Sequence, residues 1–160
     1  MMGKSAREAP PEKIMSDESR HIVCPHCAGV NRVPGDKDAA KAKCGRCHRP
    51  LFSGSAFQAT AKTFDTHVTR NEIPVVVDFW AAWCGPCKSM APVFERVTAE
   101  LEPQARFLKV DTDAEQELAA RYNIRSIPTL MMFRKGALVA QRAGASDAQS
   151  LRAWLQQHLN

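Results

Sequence analysis

The sequence predicts an α/β fold, a central mixed sheet flanked by helices, preceded by a small four-cysteine module. Three observations lead there. From residue 57 onward, short apolar runs alternate with amphipathic helical stretches. One Cys-x-x-Cys pair, Cys84 and Cys87, lies where an apolar run passes into such a stretch. Two more Cys-x-x-Cys pairs fall within residues 24–47, a segment poor in large apolar side chains.

Taken in order, residues 1–20 are polar and charged with Pro10-Pro11, and read as a disordered tail. Residues 21–54 form the cysteine module, and Gly54-Ser55 reads as a linker to residues 55–160. Phe57–Ala59 is a short strand, and a helix follows around Phe64 and Val68. Val75–Trp80 is apolar except for Asp78, which suits a central strand buried on both faces. Met90, Val93, Phe94, Val97 and Leu101 recur at three- and four-residue spacing, so a helix follows Cys84–Cys87, with Pro92 predicting a kink. Ala105–Val110 is the next strand and Glu115–Tyr122 a short helix. Thr129–Phe133 and Leu138–Arg142 form a hairpin around Lys135-Gly136. Ser146 with Gln149 reads as a capping box for a last helix whose apolar face is Leu151, Trp154, Leu155 and Leu159. The order β-α-β-α-β-α-β-β-α places the cysteine module outside the core of the sheet.

The chain has 160 residues, 44% hydrophobic and 24% charged, an ordinary globular balance for one core domain with an appendage. No run approaches the roughly 20 apolar residues of a membrane span. The N-terminus lacks an apolar export segment, so the expected compartment is the cytoplasm, where cysteine clusters serve as metal or redox centres. Translation from Met1 or from Met15 both fit. The net charge of +5 is concentrated in residues 1–54, with ten Lys/Arg against six Asp/Glu. Four zinc-bound thiolates would lower that +4 to about +2, so the basic front end argues only weakly for nucleic acid.

Cys84 at a helix start has a mechanism behind it. Unpaired N–H groups and the helix dipole favour the thiolate there, drawing its pKa from about 8.5 toward neutrality. Cys84 is expected at the exposed helix-start position, with Cys87 one turn deeper and placed to resolve a mixed disulfide. A zinc knuckle at this pair would need a second ligand pair, and residues 88–160 contain no further cysteine.

Cys24/Cys27 and Cys44/Cys47 are sixteen residues apart, the spacing of a zinc ribbon with four thiolate ligands. Binding there supplies roughly 10–16 kcal/mol, enough to organise a segment with little core of its own. His26 and His48 read as exposed knuckle residues rather than ligands. Cys24-Pro25-His26-Cys27 also matches the active-site motif of periplasmic disulfide oxidases. However, no buried strand is expected before it, and Asn31, Pro34 and Gly35 stand where a helix would be needed.

Residues 57–160 resemble thioredoxin along their whole length. The resemblance is carried by Val77-Asp78-Phe79-Trp80-Ala81-Ala82-Trp83-Cys84-Gly85-Pro86-Cys87-Lys88, by Lys109-Val110-Asp111, by Ile127-Pro128-Thr129 and by Ala143-Gly144-Ala145. With the four-cysteine module, residues 21–160 resemble the zinc-containing bacterial thioredoxins of the thioredoxin 2 type. The resemblance implies a thioredoxin fold and a protein-disulfide reductase in which Cys84 attacks and Cys87 resolves. It implies that Asp78 assists proton transfer at Cys87 with Lys109 as charge partner. It further implies a cis Ile127–Pro128 bond, and a client groove formed by Trp83, Gly85, Pro86, Ile127, Pro128 and Gly144. Trp83 should be exposed and Trp80 core. The implied partners are disulfide-containing client proteins and a flavoprotein thioredoxin reductase that passes electrons from NADPH. No organic cofactor is expected on the chain itself; one zinc ion is. Two other functions stay open: a redox sensor whose zinc thiolates oxidise and release the ion, and a ribbon that docks clients or nucleic acid. Against nucleic acid, only Phe52 lies near the ribbon for base stacking.

Overall fold

The structure, a computed structural model, describes residues 18–159. The disordered tail expected from sequence lies, for residues 1–17, outside the described residues, while Arg20 already opens a strand. Strands β1 (Arg20–Val23) and β2 (Val30–Val33) form an antiparallel hairpin with Val23 opposite Val30. A short 3-10 turn, Ala39–Lys41, follows; the Asp38 carboxylate caps it by accepting from the Ala40 N–H. The expectation that no buried strand precedes Cys24 is corrected, because Ile22 and Val23 are buried. Two buried residues are too few for a periodic signal, and it is Ile73, about fifty residues further along the chain and just before the Val75–Trp80 strand, that packs beside Ile22. After Cys27 comes β2 rather than a helix.

The larger sheet uses β3 (Phe57–Gln58), β4 (Val75–Trp80), β5 (Arg106–Asp111), β6 (Thr129–Arg134) and β7 (Ala137–Ala143), in spatial order β3-β5-β4-β6-β7. β4 is central, parallel to β5 and antiparallel to β6. Helices α1 (Ala61–Arg70), α2 (Gly85–Leu101), α3 (Gln116–Arg121) and α4 (Ala148–Leu159) complete the layers. Strand alternation sorts the two faces. Val75, Val77 and Phe79 pack with Phe64, Val68 and Leu118 of α1 and α3. Val76 faces Met90, Phe94 and Val97 of α2 and Leu151 and Leu155 of α4. Asp78 shares the parity of Val76 and so points under α2. Each large side chain fully buried here contributes roughly 1.5–3 kcal/mol. Lys135 and Gly136 both have positive φ, 50° and 87°, as a two-residue hairpin turn requires.

Helix α2 continues past Pro92 to Leu101, and Pro92 withholds one N–H from its ladder. The capping box at Ser146 is corrected: Asp147 caps α4, its carboxylate accepting from the Ser150 N–H at 2.8 Å. The Ser146 N–H instead points at the Met90 sulfur, 3.4 Å away. An aspartate at this position outcompetes serine because it brings a charge to the helix start.

The hairpin module has a hydrophobic cluster of its own, but Ile73 closes it. Arg106, 1% exposed, reaches from β5 to donate to the carbonyls of Val23 (3.0 Å) and Leu51 (2.8 Å). Its guanidinium lies 4.4 Å from the Phe52 ring centroid and 3.6 Å from a Glu102 oxygen. Asn71 accepts from the Val23 N–H at 2.8 Å. The expectation of a module outside the sheet's core therefore needs amending: the two parts share a buried polar seam.

Candidate active site and metal centre

β4 delivers the chain to the first turn of α2. Cys84 is the residue at the helix start, with extended φ and ψ, and its sulfur accepts from the Cys87 N–H at 3.1 Å. Pro86 sits in the first turn, where its missing N–H costs nothing. Cys84 and Cys87 are joined in a disulfide with Cα atoms 5.2 Å apart, inside the range such a bridge requires. Sequence places Cys84 as the exposed member, but both cysteines are 4% exposed. Ala81, Trp80 and Ile127 pack around the pair, which covers both sulfurs in this oxidised state. Cys84 Sγ lies 3.7 Å from the carbonyl oxygen of Ile127.

The Ile127–Pro128 bond is cis, and the Gly144 N–H donates to the Pro128 carbonyl at 2.8 Å. Gly144 has φ of 97°, a conformation glycine adopts without strain. Trp83 is 69% exposed beside these loops, while Gly85, Pro86 and Gly144 are also exposed and Ile127 is half-buried. The structure thus brings all six expected groove residues to one end of the sheet.

Asp78 is 1% exposed, and its Oδ1 has no hydrogen-bond partner among the described residues. Burial pushes its carboxyl up to about 7; Lys109 opposes this and Glu95 adds to it. Asp78 and Lys109 are register partners on β4 and β5, and Lys109 Nζ lies 4.9 Å from the Trp80 ring centroid. A cavity of about 230 Å³ opens between Asp78, Trp80, Cys87, Lys88 and Lys109. Water there would connect a buried carboxyl to the inner cysteine. Trp80 is only half-buried and lines this cavity, so it belongs to the site more than to the core. Sequence reasoning missed Asp113, whose carboxylate accepts from the Trp83 indole N–H at 3.0 Å. The Asp111-Thr112-Asp113 turn after β5 was the available signal, since Asp111 accepts from the Asp113 N–H.

The four remaining cysteines converge. Their sulfurs all lie within 4.8 Å of one another, with Cys24–Cys47 and Cys27–Cys44 at 3.6 Å. A zinc tetrahedron with bonds of about 2.3 Å has edges of about 3.8 Å, so the donor set fits that ion. The knuckles repeat one geometry: the N–H groups of Cys24 and Cys44 donate to the carbonyls of Gly29 and Arg49, each at 2.8 Å. Ala28 and His48 take matching positive φ of 62° and 68°. His26 and His48 are exposed and stand outside the sulfur cluster. Asn31, which sequence reasoning did not single out as a site residue, spans both knuckles; its Nδ2 donates to the Gly29 carbonyl at 3.3 Å and lies 3.4 Å from Cys44 Sγ, and its Oδ1 accepts from the Gly45 N–H.

Comparison with known proteins agrees with this geometry. The family described as Thioredoxin matches residues 55–157, and the zinc-ribbon family described as Thioredoxin 2, N-terminal, matches residues 23–49. Thioredoxin C-3 of Corynebacterium nephridii is 42% identical over 138 residues, which cover 86% of this chain and 94% of that protein. Thioredoxin 1 of a Nostoc species is 43% identical over 105 residues, 66% of this chain and 98% of that one. A mutant thioredoxin from Halobacterium salinarum superposes with a TM-score of 0.61 at 29% identity, covering 68% of this chain and 95% of that one. Among the described residues no helix is long and apolar enough to cross a membrane. The chain belongs to the thioredoxin family of thiol–disulfide oxidoreductases.

Proposed function

We propose that this chain is a protein-disulfide reductase of the cytoplasm, working through a Cys84/Cys87 dithiol. The observation that carries the reading is the placement of Cys84 Sγ, at the start of α2 and 3.7 Å from the Ile127 carbonyl. An extended client segment lying across Trp83, Gly85, Pro86, Ile127, Pro128 and Gly144 would bring its disulfide to that sulfur. In the reduced protein the Cys87 N–H and the helix start favour the Cys84 thiolate. Cys84 attacks a client sulfur, a Cys84–client bond forms, and the other client sulfur leaves as a thiolate that takes a proton. Asp78, held near neutrality by burial, accepts the Cys87 thiol proton through the intervening cavity, with Lys109 stabilising the carboxylate. The Cys87 thiolate then attacks Cys84 Sγ, releasing the second client thiol and leaving the Cys84–Cys87 disulfide. Two electrons from a thioredoxin reductase, drawn from NADPH, restore the dithiol.

Residues 21–54 act as a zinc-ribbon module and residues 55–160 as the thioredoxin domain. Cys24, Cys27, Cys44 and Cys47 hold one structural zinc ion, which when bound supplies cross-linking of the two knuckles. The burial of Phe52 beneath Arg106 argues against base stacking and hence against nucleic acid as a partner. The test is reduction of insulin disulfides by the full chain with dithiothreitol as electron source. Wild type should accelerate precipitation of the insulin B chain, and Cys84→Ser should fall to the dithiothreitol background. Full activity in Cys84→Ser would overturn the assignment.

A further inference from the structure

The four sulfurs of the metal cluster are not equivalent. Cys24 and Cys44 are buried, whereas Cys27 and Cys47 are partly exposed. Hydrogen bonding divides them further. Cys44 Sγ accepts from the Arg46 N–H at 3.3 Å, the Cys47 N–H at 3.5 Å and the Asn31 amide at 3.4 Å. Cys24 accepts from the His26 N–H at 3.3 Å and is also faced by the Cys27 N–H, and Cys27 accepts one, from Gly29 at 3.4 Å. Cys47 receives no N–H donor among the described residues, only the sulfur contact with Cys24 at 3.6 Å. Cys27 is also crowded: a methyl group placed on Gly29 would meet both Cys27 Sγ and the Arg46 side chain at 3.2 Å.

We infer that Cys47 is the modification site of the cluster, the sulfur that soft carbon electrophiles reach first, and that Asn31 makes Cys44 the last. This rests on reading the four cysteines as ligands of one zinc ion. Each N–H donor draws electron density from a thiolate and occupies a sulfur lone pair, and so lowers its nucleophilicity. Cys47 combines partial exposure with no donor; Cys44 combines burial with three. Asn31 is a positioning residue here, because its Oδ1 also fixes the Gly45 N–H at 2.8 Å and so sets the second knuckle against β2. With a maleimide, Cys47 Sγ forms a bond to one alkene carbon. The π pair moves to the neighbouring carbon, which takes a proton from water. The resulting neutral thioether is a poor zinc ligand, so the site opens from this corner.

The test uses the full, zinc-loaded chain with Cys84–Cys87 kept as the disulfide, so that only the cluster reacts. Substoichiometric N-ethylmaleimide is added, each cysteine is quantified by peptide mass spectrometry, and zinc release is followed with a chromogenic chelator. Cys47 should be labelled first, with zinc release tracking its labelling, and Cys44 last. Asn31→Ala should raise the Cys44 rate about fivefold and leave the Cys47 rate within about twofold. Asn31→Asp keeps an oxygen for Gly45 but has no donor for sulfur, and should raise the Cys44 rate equally if Asn31→Ala does not fold. Cys44 labelled as early as Cys47 in zinc-loaded protein, or an unchanged Cys44 rate in the folded variants, overturns the inference alone. Protein purified reduced and without chelators that carries no zinc overturns the metal reading beneath it.

Discussion

Asp78 is the residue whose chemistry depends most on its surroundings. Strand alternation turns it under α2, where it loses water and the Lys109 charge only partly offsets that loss. Its carboxyl ionises near 7 in the folded chain, against 3.8 when unperturbed. A raised acid pKa means the folded state favours the protonated form. Its contribution to stability is complete below 3.8 and is lost as pH rises through about 7. Asp78→Asn should therefore stabilise the fold at pH 8 by roughly 2–4 kcal/mol, with the gain vanishing toward pH 4. The same variant should slow insulin reduction roughly tenfold or more and lose the inflection near pH 7. Denaturant melts and rate profiles across pH 4–9 read both effects; a wild-type profile flat through pH 7 would contradict the assigned role. One carboxylate in an apolar strand made Asp78 visible in the sequence. Its missing hydrogen-bond partner and the influence of Glu95 depend on α2 crossing above it, which no local pattern encodes.

Among the elements, β5 has two tasks. Lys109 lines the cavity beside Asp78, while Arg106 at the strand's start ties down the segments on either side of the knuckles through the Val23 and Leu51 carbonyls. Burial lowers the Arg106 pKa to about 10, so it remains charged at neutral pH, and burial raises that of its partner Glu102. Arg106→Ala would leave two buried carbonyls without their donor, and Glu102 without its cation and with only the Gly54 N–H. The expected loss is about 3–5 kcal/mol, read by urea melts of the full chain, with part of it recovered in Arg106→Met/Glu102→Leu. A loss below about 1 kcal/mol would mean the seam is solvated rather than buried. Helix α2 was legible because its apolar residues repeat over about three turns, Met90 to Leu101, as was β4 from an apolar run interrupted only at Asp78. β1 and the cap of α4 were not: two buried residues carry no period, and Ser146 and Asp147 are both good capping residues until the backbone selects one.

At the scale of the whole molecule, the ribbon and the sheet are separate sequence patterns joined by one buried seam. The cysteine spacings made both centres readable, but the seam was not, since Arg106, Asn71 and Leu51 are ordinary in their local contexts. Zinc removal should unfold residues 21–54, whose folding energy is metal binding, and leave the far-UV spectrum of the sheet in place. Because Arg106 then loses its acceptors, the melting temperature of the remainder should drop by roughly 10 °C. Chelation followed by thermal circular dichroism checks this; an unchanged melting temperature would show that the seam contributes nothing. The central claim is that Cys84 attacks and Cys87 resolves, and trapping tests it most directly. Cys87→Ser should accumulate a mixed disulfide with reduced-and-reoxidised insulin or cell-extract clients, joined at Cys84 and identified by peptide mass spectrometry, while Cys84→Ser accumulates none. Trapped adducts on Cys87 in Cys84→Ser, with none in Cys87→Ser, would contradict the account.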